Sequence, residues 1–414
     1  MRNRKQPLRI RFYRQIMSET TTPVLSTTAF DALATEETDI SIRPFRVEVP
    51  EAELADLRAR LANARFAPPA PGDDWSYGAP TSWVQQMAEQ WRDEFDWRAV
   101  ESKINTYPQF VTEIDGQRIH FFHVRSAEPD ALPIVLSHGW PGSFLEYIDL
   151  IDLLVDPVAH GGRSEHAFHV VIPSVPGYGF SSPLTSGGWS SAKIAATWDT
   201  LMKRLGYERY GAHGGDGGSL IGRELGLLAP QGLVGTHVLQ LFSFPSGDPA
   251  EFERLTPKDH EALAILANFQ ARAGFSAMQS TRPQTVAHAL ADSPVGLLAW
   301  NELIVGFGDG NLLTTEQVLA NASVYWFTNT SGSAARQYFE DARVAQHGQP
   351  APVNHTPTGV SVFANDFRTI RAFAERDNDN IVFWAEHEVG GHFAAMEVPA
   401  ALCGDLREFF AALR

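Results

Sequence analysis

The chain has 414 residues and is 44% hydrophobic, which allows a large buried core and two or three structural units. Lys and Arg number 33 against 49 Asp and Glu, and the net charge of −16 argues against nucleic acid or an anionic membrane as partner. A single cysteine, Cys403, excludes an internal disulfide framework and a cysteine-built metal site, and no apolar run is long enough for a membrane anchor, so a cytoplasmic location is expected.

Residues 1–16 carry Arg2, Arg4, Lys5, Arg9, Arg11 and Arg14 without the unbroken apolar core of a signal peptide, and Met17 offers an alternative start. Up to residue 39 the chain is rich in Thr, Ser and Ala without periodicity and reads as a disordered leader. Residues 45–49 alternate like a strand. Pro50 then opens a helix with Leu54, Leu57, Leu61 and Phe66 as its buried face. A Pro/Gly-rich link leads to a second helix over 83–95, bearing Trp83, Met87, Trp91 and Phe95. Runs 110–114 and 119–124 flank Asp115-Gly116, a hairpin signal.

Strands and helices alternate from there: strand 134–137, helix 144–154, strand 168–172, helix 192–205, a strand ending at His213, a helix opening at Ser219, and strand 234–241. After Phe244-Pro245 the alternation stops, and residues to about 352 read as helices with aromatic faces that include Leu297, Trp300, Tyr325, Trp326 and Phe327. Strands 359–363 and 381–384 and a helix over 402–413 resume it. The pattern predicts an α/β protein built on a mostly parallel sheet. Its expected parts are a leader (1–39), an N-terminal helical extension (40–125), a core in two pieces (126–244 and 353–414) and a helical cap inserted between them (245–352).

The stretch His213-Gly214-Gly215-Asp216-Gly217-Gly218-Ser219 fits Gly-x-nucleophile-x-Gly, with aspartate where a serine hydrolase keeps serine. A sharp strand-to-helix turn forces its central residue into strained backbone, and the four glycines around Asp216 meet that need. Taken alone, the stretch also reads as a tight turn with an Asp helix cap or as a phosphate loop. The absence of Gly-Lys-Ser/Thr after it removes the Walker-type loop.

Partners of a hydrolase site occur in the matching order. His138-Gly139-Trp140-Pro141-Gly142-Ser143 follows the first buried strand, where backbone N–H groups of Trp140 and Gly217 can form an oxyanion hole. His392, after two glycines that follow the last strand, is the candidate general base, and Asp366 is the best acid to orient it, with Asp377, Asp379 and Glu386 competing on composition. His387-Glu388 with His392 lacks the His-Glu-x-x-His spacing of a zinc site, since Gly391 stands where histidine is needed. An aspartate nucleophile displaces a leaving group at saturated carbon and forms an alkyl ester, so the leaving group is an epoxide oxygen or a halide.

These motifs, together with Pro176-Gly177-Tyr178-Gly179-Phe180-Ser181, Ser293-Pro294-Val295-Gly296-Leu297, Gly390-Gly391-His392-Phe393-Ala394-Ala395 and the 45–124 region, resemble the microsomal-type epoxide hydrolases. The resemblance runs from about residue 40 to the C-terminus. It implies an α/β-hydrolase fold with an inserted cap and an N-terminal epoxide hydrolase-type extension. It implies Asp216 as nucleophile, His392 as base, Asp366 as acid and a cis peptide at Trp140-Pro141.

It also implies a small hydrophobic epoxide and water as reactants, vicinal diol as product, and neither cofactor nor metal. Of the two lid tyrosines by which the family protonates the epoxide, one matches Tyr338 and the other falls on Phe275, which cannot donate a proton; Tyr325 is a candidate substitute. Gly217 stands where many relatives carry Trp, which counts against the halide chemistry of haloalkane dehalogenases. A carbon–halogen hydrolase using the same residues and a ligand-binding relative with weakened turnover are the alternatives. Detoxification and secondary-metabolite biosynthesis both remain open as roles, and the sequence leaves monomer and homodimer open.

Overall fold

The computed structural model describes residues 40–308, 312–345 and 352–414; the basic arm and leader expected over 1–39 lie outside them. The N-terminal region begins with β1 (Arg43–Phe45), α1 (Glu51–Ala62), α2 (Thr81–Asp93) and α3 (Trp97–Ile104). Leu54, Leu57 and Leu61 of α1 and Val84, Met87, Ala88 and Trp91 of α2 recur at helical spacing and are buried. In place of the strand expected over 45–49, β1 covers Arg43–Phe45 and shares only Phe45 with that run. Val47 and Val49 are buried, but their N–H groups donate to Asn105 Oδ1 (3.0 Å) and Glu101 Oε1 (2.7 Å) instead of entering a sheet ladder. Helix α3 was not anticipated. It has only 8 residues, but Trp97, Val100 and Ile104 form one face and Asp96 caps it by accepting from Arg98 N.

Asp115 (φ 52°) and Gly116 (φ 70°) turn the chain between β2 (Gln109–Ile114) and β3 (Gln117–Val124) as the hairpin signal predicts. The alternation follows: β4 (Leu132–Ser137), a 3₁₀ turn (Phe144–Leu150) running into α4 (Ile151–Val155), β5 (Phe168–Pro173), α5 (Ser191–Arg204), β6 (Tyr210–Gly214), α6 (Gly217–Leu228) and β7 (Leu233–Val238). Seven α-helices come next among the described residues: α7 (Pro249–Phe252), α8 (Pro257–Arg272), α9 (Gly274–Thr281), α10 (Pro283–Asp292), α11 (Pro294–Trp300), α12 (Thr315–Thr328) and α13 (Ser331–Ala345). The chain ends with β8 (Thr358–Asn365), α14 (Arg371–Asp377), β9 (Ile381–Gly391), α15 (Ala394–Glu397) and α16 (Pro399–Ala411). Helix α14, which buries Phe373 and Ala374, is a second element that strand-to-strand reading passed over.

Among the described residues the strands form one nine-stranded sheet in the order β1-β2-β3-β5-β4-β6-β7-β8-β9. Pairs from β1 to β5 are antiparallel and pairs from β5 through β4 to β9 are parallel. Residue 125, drawn as the end of the extension, therefore falls between strands of a single sheet. Alternate residues of β4 feed different cores: Val135 packs with Trp198, Leu201 and Ile221, while Ile134 and Leu136 pack with Phe144, Leu406 and Phe410. Among the described residues no helix is long and apolar enough to cross a membrane.

The N-terminal helices brace the insert directly. Trp91 of α2 is 2% exposed, and its indole N–H donates to Ser323 Oγ of α12 (2.9 Å). Trp91→Ala is expected to lower unfolding free energy in urea by about 4 kcal/mol, while Gly404→Ala, at an open position in α16, should raise it by about 1 kcal/mol.

Candidate active site

The order β5-β4-β6 marks a topological switch, because the connections from β4 and from β5 leave in opposite directions along the sheet. Ligands of open α/β sheets bind beyond the carboxyl ends of such strands. Ser137 at the end of β4 is paired with Gly214 at the end of β6, so the 138–143 loop and the turn at Asp216 emerge side by side.

Asp216 has φ 52° and ψ −122°, a conformation rare for a residue with a Cβ. Its neighbours explain how it is held. A Cβ on Gly218 would lie 1.7 Å from the Ser137 carbonyl oxygen, and one on Gly214 would lie 2.0 Å from that of Gly218. At Gly215 and Gly217 a Cβ would come no closer than 3.2 Å and 3.3 Å to its neighbours, so the demand for glycine falls on two of the four positions. Gly139 is required from the other side, since its Cβ would sit 2.2 Å from Asp216 Oδ1.

The carboxylate meets a donor on one oxygen and an imidazole on the other. Trp140 N–H donates to Asp216 Oδ1 at 2.9 Å, and the peptide before Pro141 is cis. Gly217, the first residue of α6, directs its N–H to no acceptor among the described residues, as a second oxyanion donor requires. His392 Nε2 is 3.3 Å from Asp216 Oδ2, an ion-pair distance without the alignment of a hydrogen bond. Its Nδ1–H donates to Asp366 Oδ1 at 2.8 Å. Burial opposes a charged imidazole, but the carboxylates of Asp366 and Asp216 outweigh it and hold the His392 pKa well above the usual range. The competing acids are engaged elsewhere: Asp377 with Arg376 (2.7 Å), Asp379 with His355 (2.8 Å) and Glu386 with Lys258.

Three supporting residues escaped the sequence reading. Gln240, 1% exposed just beyond β7, accepts from Asp216 N at 2.6 Å through Oε1 and donates to Asp366 Oδ2 through Nε2. One amide thus spaces Asp216 from Asp366. No sequence pattern singles Gln240 out, because β7 before it already carries the buried polar residues Thr236 and His237. Asn321 of α12 donates to Pro141 O (2.5 Å) and accepts from Ser143 Oγ (2.7 Å). Gln337, beside Tyr338, accepts from Tyr178 OH at 3.1 Å.

The aromatic candidates separate into two groups. Phe275 stacks on Trp140 with ring centroids 4.8 Å apart, and Tyr338 stands edge-on to both at 6.2 Å. The Tyr338 hydroxyl has no hydrogen-bond partner among the described residues; burial, reinforced by the Asp216 charge, keeps it protonated far above the ordinary phenol range. Tyr325 differs. It is 1% exposed and donates its O–H to Gly142 O at 2.8 Å, so its proton is committed to the 138–143 loop. A groove of about 550 Å³ lined by Ile42, Phe110, His123 and Arg204 contains none of these residues.

Because Asp216 contributes to the raised His392 pKa, Asp216→Asn should shift the imidazole titration, followed by nitrogen-15 NMR, to lower pH than in the wild type; an unchanged midpoint would mean the two groups are not coupled.

Residues 42–147 match the family model "Epoxide hydrolase N terminus" and residues 133–254 the model "alpha/beta hydrolase fold". A Stigmatella aurantiaca (strain DW4/3-1) protein whose name places it among the epoxide hydrolases is 43% identical over 90% of this chain and 86% of its own. Epoxide hydrolase 1 of Sus scrofa is 34% identical over 91% of this chain and 90% of its own. The solved structure of Aspergillus niger epoxide hydrolase superposes with a TM-score of 0.79 at 35% identity, covering 91% of this chain and 98% of that one. With an α/β-hydrolase sheet, an aspartate at its strained strand-to-helix turn and relatives of this likeness along nearly the whole chain, the protein belongs to the microsomal-type epoxide hydrolase family and is an epoxide hydrolase.

Proposed function

We propose that the enzyme opens a hydrophobic epoxide through an ester on Asp216 and releases a vicinal diol. The observation that carries this reading is the division of the Asp216 carboxylate, with Oδ1 on Trp140 N–H at 2.9 Å and Oδ2 at 3.3 Å from His392 Nε2. Oδ1 becomes the ester carbonyl oxygen, already in its oxyanion hole, and Oδ2 is the attacking atom.

Asp216 Oδ2 bonds to an epoxide carbon, the carbon–oxygen bond of the ring breaks, and Tyr338 gives its proton to the departing oxygen. Alkylation removes the charge of Asp216, and with it part of what keeps His392 protonated. The imidazolium proton then restores Tyr338 through solvent, and neutral His392 becomes a base at the step that needs one. Water gives one proton to His392 and adds to Cγ of Asp216, and the ester bond breaks. The departing alkoxide takes the second water proton, so carboxylate and imidazolium return with the diol.

Phe275 leaves Tyr338 as the acid of this scheme, since the Tyr325 proton is directed at Gly142. The aromatic rings of Trp140, Phe275 and Tyr338 favour an apolar, aryl-bearing substrate over a polar one.

Replacing His392 with Gln tests the route. Incubation with styrene oxide should leave a stable adduct of the epoxide's mass on the Asp216 peptide and no diol, whereas diol without adduct would overturn it. Tyr338→Phe should lower the rate of adduct formation by roughly 10²–10³. Halide release from a haloalkane panel, with no diol from epoxides, would favour the carbon–halogen alternative instead.

A further inference from the structure

Glu146 is a buried acid that neither the triad nor the lid tyrosine uses. It lies in the 3₁₀ turn that follows the oxyanion loop and is 3% exposed. Its carboxyl is wedged into the back of the site. A Cβ on Gly142 would be 2.9 Å from its Oε2, and one on Gly215, the residue before the nucleophile, would be 3.3 Å from its Oε1. The same point beside Gly142 is 3.4 Å from the ring of Phe393, the neighbour of His392.

No N–H or O–H donor among the described residues reaches the Glu146 carboxyl. The contrast with Glu397, a half-buried acid at this end of the site, is informative: Glu397 Oε1 accepts from Phe393 N at 3.1 Å and so anchors the His392 loop. A buried carboxyl that no protein donor reaches is left for water to satisfy, because an unpaired polar group in the interior costs about 1–3 kcal/mol. Burial pushes the Glu146 pKa up to about 8, with His392 and Asp216 next among the groups that act on it. At neutral pH it is therefore mostly a neutral acid, offering one accepting carbonyl oxygen and one O–H.

We propose that Glu146 is a catalytic residue of the hydrolytic step, its carboxyl accepting a hydrogen bond from the attacking water while His392 Nε2 removes that water's other proton. The inference rests on the Asp216 ester route. Water oxygen bonds to Asp216 Cγ, and one proton passes to His392. The proton held against Glu146 stays on the new carboxyl until the alkoxide, freed as the ester carbon–oxygen bond breaks, takes it. Glu146 itself neither gains nor loses a proton. Two acceptors fix the water's lone pair toward the ester carbon, which is what positioning contributes to such a step.

The test is a rapid-quench single turnover of styrene oxide with excess enzyme, following the mass of the Asp216 ester as it forms and decays. Glu146→Leu should form ester at a rate within about threefold of wild type and lose it about 10²-fold more slowly, while Glu146→Gln, which keeps an accepting carbonyl, should decay within about tenfold of wild type. Equal decay in Glu146→Leu, slowed formation with normal decay, or Glu146→Gln as slow as Glu146→Leu would each overturn the assignment. If Glu146→Leu does not fold, Glu146→Ala replaces it, and added formate should speed ester decay without changing its formation; no effect of formate overturns the assignment. Absence of ester in the wild type would instead sink the ester route itself.

Discussion

The site depends on a carboxylate held in a backbone conformation that an ordinary residue avoids. Asp216 sits at φ 52° because β6 must turn into α6 within a few residues, and the Ser137 carbonyl, the Gly218 backbone and Gly139 press on the turn from both sides. Such strain costs about 1–3 kcal/mol and persists only when the surroundings over-determine it. Here they do. Gln240 takes the Asp216 N–H, Trp140 takes one carboxylate oxygen and His392 faces the other.

The same constraint explains why so much of the chain bears on so small a region. The 138–143 loop is gripped by α12 through Asn321 and Tyr325, and α12 is in turn tied to the N-terminal helices through Ser323 and Trp91. Tyr338 arrives on α13, whose neighbour Gln337 is fixed by Tyr178 of the core. The insert is thus a structural partner of the 138–143 loop as well as the source of Tyr338, and substitutions in α2 can reach that loop without touching it.

Much of this was legible in the sequence, for reasons that differ by residue. The hairpin at Asp115-Gly116 could be read because two positive-φ residues are needed there and few residue pairs allow them. Asp216, His392 and Asp366 could be read because order along an alternating chain fixes which strand ends they follow. Helix α3 was hidden by its eight residues, too short for periodicity to speak against the strands beside it. The first strand was misplaced because Val47 and Val49 are buried like strand residues while their N–H groups go to side chains. Gln240 and Asn321 were invisible because a lone amide has no pattern; its meaning lies in partners far away in the chain. Tyr325 shows the converse, a residue of the right chemistry whose proton another contact already holds.

The most direct measurement is a single turnover of excess enzyme with an activated aryl epoxide in ¹⁸O-water, followed by mass analysis of the Asp216 peptide and of the diol. An ester cleaved at Cγ puts the label into the Asp216 carboxyl and leaves the first diol unlabelled. Label in the diol with an unlabelled peptide would contradict that route, since it would mean that water opens the ring itself and that Asp216 acts only as a fixed charge or base.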